Sequence, residues 1–307
     1  MLPVWFLSDE LILLIERMDF YMNKVFIWYE NLSMCVRDSA QISVVIVGFI
    51  STILSILGIS LEDWKGSCIP IRACAVIASM GMIYFLVFLV INRIFKEQIN
   101  LVIRKTPICI CNGDIFSETG WRVIGCDSHF DTRVDDVVIA KKSLHGQLVL
   151  SHGNKEEIDS VIESEAQRLQ ITKDENGQYR FPLGTIIRYK SSVDNQMYLL
   201  LAAANLNSKY EAHTTMPEYV QMLMKMWREI DRVYAMNDVI LPVLGTGIPR
   251  FDDGPKDNDA LLRCMLYTLN ISGVSLKSKV KVILFRKAKG LALYEYKGMF
   301  RETHGRQ

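Results

Sequence analysis

The sequence predicts an α/β domain, a mixed sheet sandwiched by helices, preceded by an all-α N-terminal region that contains a two-helix transmembrane hairpin. Three observations lead to this fold class. Two long runs near the N-terminus contain no Asp, Glu, Lys or Arg. From about residue 106 onward, short apolar runs alternate with amphipathic ones. The formal net charge is only +1, so overall charge gives no support to a nucleic-acid partner, and none is predicted.

Residues 1–38 are predicted to form an interfacial or amphipathic helical region. Acidic side chains such as Asp9, Glu10 and Glu16 interrupt the apolar clusters there and oppose a further membrane span. Trp5 and Trp28 suit a membrane interface, where aromatic rings are enriched. A helix that packs on the soluble domain is the alternative that this stretch leaves open.

The transmembrane hairpin is predicted over residues 39–93, with spans at about 40–61 and 72–92. Each uncharged run approaches the roughly 20 residues that an apolar helix needs to cross a bilayer. A short connection places both termini on one side, and the Lys/Arg excess there makes that side cytoplasmic. Buried core helices are the alternative. A two-helix hairpin is too small to enclose a pore, so a homo-oligomer is predicted. Small residues that permit close helix approach would help its hairpins associate, and they are Gly48, Ser51, Ser55, Gly58, Ala75, Ser79 and Gly81.

Residues 94–105 are predicted to be a linker, and residues 106–307 a cytosolic domain. Its strands are read from apolar runs, as expected where a sheet is covered on both faces. These runs are PICICNG, RVIGC, YLLLAAAN, DVILPVLG and KVKVILFR. Helices are predicted over NKEEIDSVIESEAQRLQI, PEYVQMLMKMWREIDRVYAM and NDALLRCMLYTLNI, with Asn154 capping the first and Pro217 opening the second. The stretch QITKDENGQYRFPLG predicts a hairpin.

The seven cysteines form no paired framework and are interpreted as reduced thiols. Cys109 and Cys111 share one face of a predicted strand. They lack the C-x-x-C spacing and the further ligands of a zinc site, so no metal is predicted.

Two turns at strand ends supply candidate ligand contacts. The turn NGDI, residues 112–115, presents one carboxylate and several backbone N–H groups. The loop GTGI, residues 245–248, can aim backbone N–H groups at an anion such as a diphosphate. Plain turn formation by the acid and loop capping by the threonine are the alternatives. The candidate contacts are Asp114, Ile115, Gly245, Thr246, Gly247, Ile248 and Phe251, the last of which could instead be core.

Together the two turns resemble those of the macro domain family, over roughly residues 106–297. In that family the Gly-Asp-Ile turn places its acid on the adenine amino group, and the Gly-x-Gly-Ile loop wraps the diphosphate of ADP-ribose. The resemblance implies a macro-domain-like sheet and an ADP-ribose-derived ligand, without any other cofactor. The catalytic asparagine of active macro domains is absent, so the resemblance implies a sensor and not an enzyme.

The stretch VIGCDSHFDTRVDDVVIAKKSLHGQLV, residues 123–149, stands where the family has that asparagine and a triple-glycine loop. Its polar residues are expected near the distal ribose, where they could contact an unusual group attached to it. The candidate contacts are Asp127, Phe130, Asp131, Thr132, Ser143, Leu144, His145 and Gly146. Ordinary packing is the alternative for His129 and His145, and a solvated turn is the alternative for Asp135 and Asp136.

The stretches FDT and SLHG, together with the hairpin, resemble the transmembrane–macro effectors of bacterial Thoeris antiphage systems. The resemblance implies a TIR-domain partner that consumes NAD on infection and signals through a diffusible ADP-ribose conjugate, in this branch histidine–ADP-ribose. It also implies an oligomer in the bacterial inner membrane that rearranges, disrupts the bilayer and causes abortive infection. The alternatives are a membrane-tethered ADP-ribose-processing hydrolase, with Asp127 or Asp131 as base, and a scaffold that binds no nucleotide.

Overall fold

The computed structural model describes residues 34–56, 69–94, 98–175, 177–207, 211–247, 250–252, 254–285 and 293–299. The chain divides into two compact units, one of Met1–Lys96 with Tyr294–Gln307, and one of Glu97–Leu293. Most of the predicted interfacial region, residues 1–33, lies outside the described residues, as does Gly58.

The first unit contains two long apolar helices, α1 (Met34–Ile56) and α2 (Ile69–Ile94), which pack against each other. By length and composition, Cys35–Ile56 and Ala73–Arg93 could each cross a bilayer. Only 11% and 6% of their most apolar windows are buried within the chain, whereas a core helix of a soluble protein is mostly buried. The apolar side chains of this hairpin therefore lack a protein cover within the described residues.

The C-terminal Tyr294 also belongs to the first unit. Its hydroxyl donates to the Asp38 carboxylate in the first turns of α1, at 2.5 Å. A 3₁₀ turn at Leu293–Glu295 precedes a short helix at Tyr296–Met299.

The second unit is built on one mixed sheet. Its strands are β1 (Gln98–Ile103), β2 (Thr106–Asn112), β3 (Trp121–Asp127), β4 (Ile186–Lys190), β5 (Met197–Leu206), β6 (Ala212–Thr214), β7 (Val239–Pro242), β8 (Arg250–Phe251) and β9 (Val280–Leu284). Within the described residues these nine strands lie in the order β1-β2-β9-β7-β3-β5-β6-β8, and β4 pairs with β5. The strands β2, β9, β7, β3 and β5 are mutually parallel. The predicted mixed sheet is confirmed.

The helices of the second unit are α3 (Leu144–Gln147), α4 (Lys155–Arg168), α5 (Met216–Val233) and α6 (Asn258–Ile271). The predicted helix signals are confirmed: Asn154 accepts from the Glu157 N–H, and Pro217 stands in the first turn of α5. A capping box between Thr215 and Glu218 begins α5, which then buries one apolar face. The short helix Tyr296–Met299 of the first unit is α7.

The linker predicted at residues 94–105 contains the edge strand β1. Its side chains alternate, since Ile99 and Ile103 are each 1% exposed while Gln98 and Asn100 are open to solvent. An alternating strand at a sheet edge carries polar residues on one face, and so gives a weaker apolar signal than the central strands. The predicted hairpin around residue 177 is a turn closed by one bridge between Lys173 and Tyr179; Asn176 lies outside the described residues.

Candidate functional site

The parallel strands bring the predicted contact segments to one edge of the sheet. Asn112 at the end of β2 pairs with Leu284 of β9, and the register continues through β7 to β3. Two residues beyond this aligned level, the chain reaches Asp114 after β2, Gly245 after β7 and Asp127 at the end of β3. Three turns that are distant in sequence therefore emerge side by side at the carboxyl ends of the strands, where α/β sheets bind ligands.

Asp114 is exposed and is held by its own turn. It caps a 3₁₀ turn at Ile115–Ser117, accepting the Phe116 N–H on Oδ1 at 3.1 Å. The Ser117 hydroxyl donates to the Asp114 carbonyl at 2.7 Å. Because a carboxylate accepts at both oxygens, the cap leaves it capacity for a ligand donor. Ile115, also a predicted contact, is 2% exposed and belongs to the apolar core.

Tyr219 of α5 holds the glycine loop, residues 243–247, in place. The Tyr219 hydroxyl donates to the Leu244 carbonyl at 2.9 Å, and burial raises the pKa of this phenol well above its usual value. The Tyr219 ring meets Phe251 nearly edge-on, with centroids 5.6 Å apart. Phe251 is 7% exposed, so its ring supports the loop from the core. Sequence reasoning missed Tyr219, whose only signal was an aromatic residue in the first turn of an amphipathic helix.

The two glycines of this loop have different surroundings. Gly245 has φ of +83°, and a Cβ there would lie 3.3–3.4 Å from Tyr219, Leu261 and Phe251. At Gly247 a Cβ would meet nothing within 4 Å. Gly245 thus shapes the loop, whereas Gly247 borders open space that a ligand could occupy. The Thr246 hydroxyl donates to the Val243 carbonyl at 2.9 Å, and Ile248 lies outside the described residues.

The segment after β3 begins with a tight turn around Asp127. This carboxylate is 9% exposed and accepts the His129 N–H at 2.7 Å. Phe130 then adopts φ of +53° and turns its ring into the core, where it lies edge-on to Phe181 at 5.1 Å. At 2% exposure, Phe130 is placed as a packing residue of the turn.

Asp131 and Thr132 are tied to neighbouring elements. One Asp131 oxygen accepts the Arg133 N–H at 2.8 Å, and the other lies 3.4 Å from the Gln178 amide. The Thr132 hydroxyl donates to Asp159 of α4 at 2.8 Å. These bonds fix the position of the Asp131 carboxylate and engage the Thr132 hydroxyl.

His145 lies within electrostatic reach of two of these acids. It is 6% exposed, and burial lowers its pKa below the usual value while Asp127 and Asp131 partly oppose that shift. The imidazole is therefore neutral at pH 7, with one donor and one acceptor nitrogen. The neutral histidine and the two carboxylates that act on it electrostatically are polar groups that can pair with donors on a ligand.

The remaining residues of the SLHG stretch hold His145 in place. The Ser143 hydroxyl donates to the Ala140 carbonyl at 2.7 Å and accepts the Gly146 N–H at 2.9 Å. A Cβ at Gly146 would overlap the carbonyl oxygen of Ala140, so only glycine fits there. Leu144 is half-buried at the start of α3 and contacts the apolar core.

Comparison with known proteins assigns this domain to a family. The model of the Thoeris protein ThsA macro domain matches residues 108–285. The chain belongs to the ThsA macro-domain family. It is 32% identical over 205 residues to the Thoeris protein ThsA of Bacillus amyloliquefaciens (strain Y2), covering 64% of this chain and 68% of that protein. All predicted contacts of this ThsA-family chain, from Asp114 to Phe251, fall within the matched range.

Solved macrodomains of Oceanobacillus iheyensis are more distant from this ThsA-family chain. One, with ADP, is 15% identical with a TM-score of 0.45, covering 68% of this chain and 98% of its own. Another, with MES bound, is 14% identical with a TM-score of 0.46, covering 68% of this chain and all of its own.

Two further features complete the description of this ThsA-family domain. Among the described residues, no group of three or more His, Cys, Asp or Glu could hold a metal ion. A shallow surface hollow of about 410 Å³ between α4 and β4 contains none of the predicted contacts. Its lining residues are Glu156, Glu157, Ser160, Val161, Tyr189 and Lys190.

Proposed function

We propose that this chain is a membrane-anchored effector of Thoeris antiphage defence whose macro domain binds an ADP-ribose-derived signal. The proposed signal is histidine–ADP-ribose made by a partner TIR-domain protein. The observation that carries the proposal is the common sheet edge at which the Asp114 turn, the Asp127 turn and the glycine loop emerge together.

The proposed ligand lies along this edge. Asp114 accepts from the exocyclic amine of adenine, which is a donor that a carboxylate satisfies. The diphosphate lies over Gly247, where an added Cβ would meet nothing within 4 Å, and accepts hydrogen bonds from backbone N–H groups of the loop. The distal ribose and its substituent then point toward Asp127, Asp131 and His145.

The proposed output is a change in membrane assembly. A ligand can shift such an assembly only by its differential affinity for the resting and active states. A two-helix hairpin is too small to enclose a pore, so the active form is proposed to be a homo-oligomer in the inner membrane with cytoplasmic termini. The largely uncovered faces of α1 and α2 support contact with lipid and with neighbouring hairpins. Membrane disruption and abortive infection follow in this proposal.

We propose binding without turnover, because the asparagine of catalytic macro domains is missing from residues 123–149. The alternative, an ADP-ribose-processing hydrolase, has one observation in its favour. The neutral His145 beside Asp127 and Asp131 is the type of arrangement that general-base catalysis uses.

The deciding measurement is calorimetric titration of the full chain in nanodiscs with ADP-ribose and with histidine–ADP-ribose. The Asp114→Asn variant keeps an oxygen to cap the Phe116 N–H but offers the amine of adenine an amide donor in place of one carboxylate oxygen. A hydrogen bond to a charged group contributes about 1.5–3 kcal/mol, so we expect roughly 10- to 100-fold weaker binding.

The matched control is Asp238→Asn at the opposite edge of the sheet, where the carboxylate also accepts a backbone N–H, that of Lys279, at 2.9 Å. It should bind as the unaltered chain does. If both variants bind with equal affinity, the proposed contact with adenine is wrong. If neither ligand gives a binding signal with the unaltered chain, the result favours the scaffold that binds no nucleotide.

Two further measurements separate the output from the binding step. Mass spectrometry of the recovered ligand tests turnover, and cleavage of the conjugate at the distal ribose would establish the hydrolase alternative. Dye release from proteoliposomes tests the membrane step. If the ligand binds but changes neither dye leakage nor oligomer size, the proposed membrane output is wrong, and only the proposed ligand binding is supported.

A further inference from the structure

A buried arginine bonds to the segment that follows Asp114. Arg122, the second residue of β3, is 5% exposed. One of its terminal nitrogens, Nη2, donates to two main-chain carbonyls of that segment. These are the carbonyls of Phe116, at 3.0 Å, and of Glu118, at 2.8 Å. A single guanidinium therefore holds the segment at two points.

Asp114 and Arg122 hold the same residue at its two ends. The Phe116 N–H donates to Asp114 Oδ1 at 3.1 Å, while the Phe116 carbonyl accepts from Arg122. The place of the Asp114 carboxylate is thus tied to the main chain of Phe116, which Arg122 fixes in turn. A guanidinium suits this task because its planar group presents several N–H donors in a fixed geometry.

The guanidinium is itself held by β5 and by the turn that precedes it. Nη1 of Arg122 donates to the hydroxyl of Tyr198, its register partner on β5, at 3.2 Å. That hydroxyl donates to the Asp194 carboxylate at 2.6 Å, and the same carboxylate oxygen lies 3.7 Å from Nη1. The charge of Arg122 therefore faces a half-buried carboxylate, and its terminal nitrogens are engaged on both sides.

The Phe116 ring links this carboxylate to the segment that continues α3. The ring stacks on the His152 imidazole, with centroids 4.1 Å apart and planes 6° from parallel. Nδ1 of His152 lies 3.4 Å from the Asp194 carboxylate. His152 is the last residue of the helical turn that follows α3. The contacts thus form a closed ring through Arg122, Phe116, His152 and Asp194.

Stability alone is a poor explanation for a charge at this position. Removing a guanidinium from water is costly, and an apolar side chain of similar size is often at least as stable in a buried site. Within the described residues, Nε of Arg122 is buried without a hydrogen-bond partner, which adds to the cost. What the charge supplies, and an apolar side chain could not, is the pair of bonds to the main chain after Asp114.

We propose that Arg122 is a positioning residue for adenine recognition: by holding the main-chain carbonyls of the turn, it sets the orientation in which the Asp114 carboxylate accepts the exocyclic amine. Arg122 does not touch the ligand and acts through Phe116. This inference rests on the proposed function, and it extends the ligand site to a buried residue at the amino end of β3.

The ligand test compares two nucleotides on the full chain in nanodiscs. Arg122→Gln removes the charge and keeps one amide donor group. ADP-ribose should bind it about tenfold more weakly, within the range of coupling between residues in contact. The second nucleotide is ADP-ribose with hydrogen in place of the exocyclic amine of adenine. Its affinity should change by no more than about threefold, since it has no amine to donate to Asp114. A role in stability alone would weaken both nucleotides by the same factor.

A measurement without ligand tests the turn itself. The N–H groups of Phe116 and Ser117 both donate to Asp114, so their hydrogen exchange reports on the turn. In Arg122→Gln, exchange of peptides covering residues 113–120 should be faster by about tenfold, while α6 should exchange as in the unaltered chain. Arg122→Lys keeps the charge and one group of donors, so both measures should lie between those of Arg122→Gln and the unaltered chain.

The matched control is Arg104→Gln. Nη1 of Arg104 also donates to a main-chain carbonyl, that of Asn270, at 3.0 Å, in the turn between β1 and β2 and away from the ligand edge. Its loss should change neither the ratio of the two affinities nor the exchange of residues 113–120.

Two results would overturn the proposal: unchanged exchange of residues 113–120 in both Arg122 variants, or an equal loss of affinity for the two nucleotides. If thermal unfolding shows that Arg122→Gln is not folded, Arg122→Lys decides by the same two measurements. If the unaltered chain binds neither nucleotide, the proposed function fails, and the role in adenine recognition fails with it. The exchange measurement needs no ligand, so it shows separately whether Arg122 holds the turn.

Discussion

The two glycines of the glycine loop permit a sharp separation of folding from ligand binding. Gly245→Ala forces an L-residue into φ of +83° and places a Cβ at 3.3–3.4 Å from three side chains. Gly247→Ala adds the same methyl group where nothing lies within 4 Å. The pair therefore differs in surroundings while the chemical change is identical.

The expected magnitudes follow from these surroundings. A strained backbone conformation costs about 1–3 kcal/mol, and the tight contacts at Gly245 add to that cost. For a domain of this size, 1 kcal/mol lowers the melting temperature by about 2–4 °C, so Gly245→Ala should melt several degrees lower. The free energy of unfolding of Gly247→Ala should lie within about 0.5 kcal/mol of that of the unaltered chain. If a diphosphate lies over Gly247, its methyl group should weaken ADP-ribose binding by at least about tenfold, which is 1.4 kcal/mol.

The assays are thermal unfolding of the second unit within the full chain, monitored by near-UV circular dichroism, and calorimetry with ADP-ribose. The reasoning fails if Gly247→Ala binds with unchanged affinity, because the open space would then not hold the diphosphate. It also fails if Gly245→Ala is as stable as the unaltered chain, because the left-handed conformation would then not be required.

Three further changes test the segment after β3 and the anchor of the glycine loop. Gly146→Ala should destabilise the domain by about 1–3 kcal/mol in thermal unfolding, because its Cβ overlaps the Ala140 carbonyl; retained stability would contradict the packing. Because the pKa of His145 is lower in the folded chain, the unfolded chain binds a proton first as the pH falls below about 6.5. The free energy of unfolding should therefore decrease from that pH down to the folded pKa. In urea unfolding between pH 7 and pH 5, His145→Gln should show a smaller decrease than the unaltered chain. Tyr219→Phe removes the donor to the Leu244 carbonyl and should cost about 1–3 kcal/mol in urea unfolding, with an unchanged midpoint as the contrary result.

The central strands of the sheet are the part of the fold that the sequence predicts best. Most side chains of β2, β3, β5, β7 and β9 are buried, so each of these strands appears in the sequence as a largely apolar run. The polar or short strands β1, β4, β6 and β8 escape prediction, because they lie toward the edges and pair through backbone groups that side-chain patterns do not record.

The ligand edge is predictable in outline for the same reason. Once the apolar runs are parallel neighbours, the turns that follow them must emerge together, whatever their separation in sequence. The directions of the side chains in these turns cannot be predicted in the same way. Phe130 and Thr132 fall in a polar stretch that predicts ligand contact, yet a left-handed backbone at Phe130 sends its ring inward, and Asp159 takes the Thr132 hydroxyl. Neither a backbone angle nor a partner on α4 can be read from residue spacing.

These placements divide the segment from 127 to 146 into two groups of residues with different tasks. Phe130 fixes the backbone by packing in the core, Ser143 by accepting the Gly146 N–H, and Gly146 by its close approach to the Ala140 carbonyl. Asp127 and His145 are thereby held within electrostatic reach of each other. Substitutions in the first group should unfold the segment and abolish binding of every ligand, whereas amide replacements of the second group, Asp127→Asn and His145→Gln, keep a hydrogen-bonding side chain and should cost less stability at pH 7. A change in preference among ADP-ribose conjugates should therefore arise from the acids and the histidine alone.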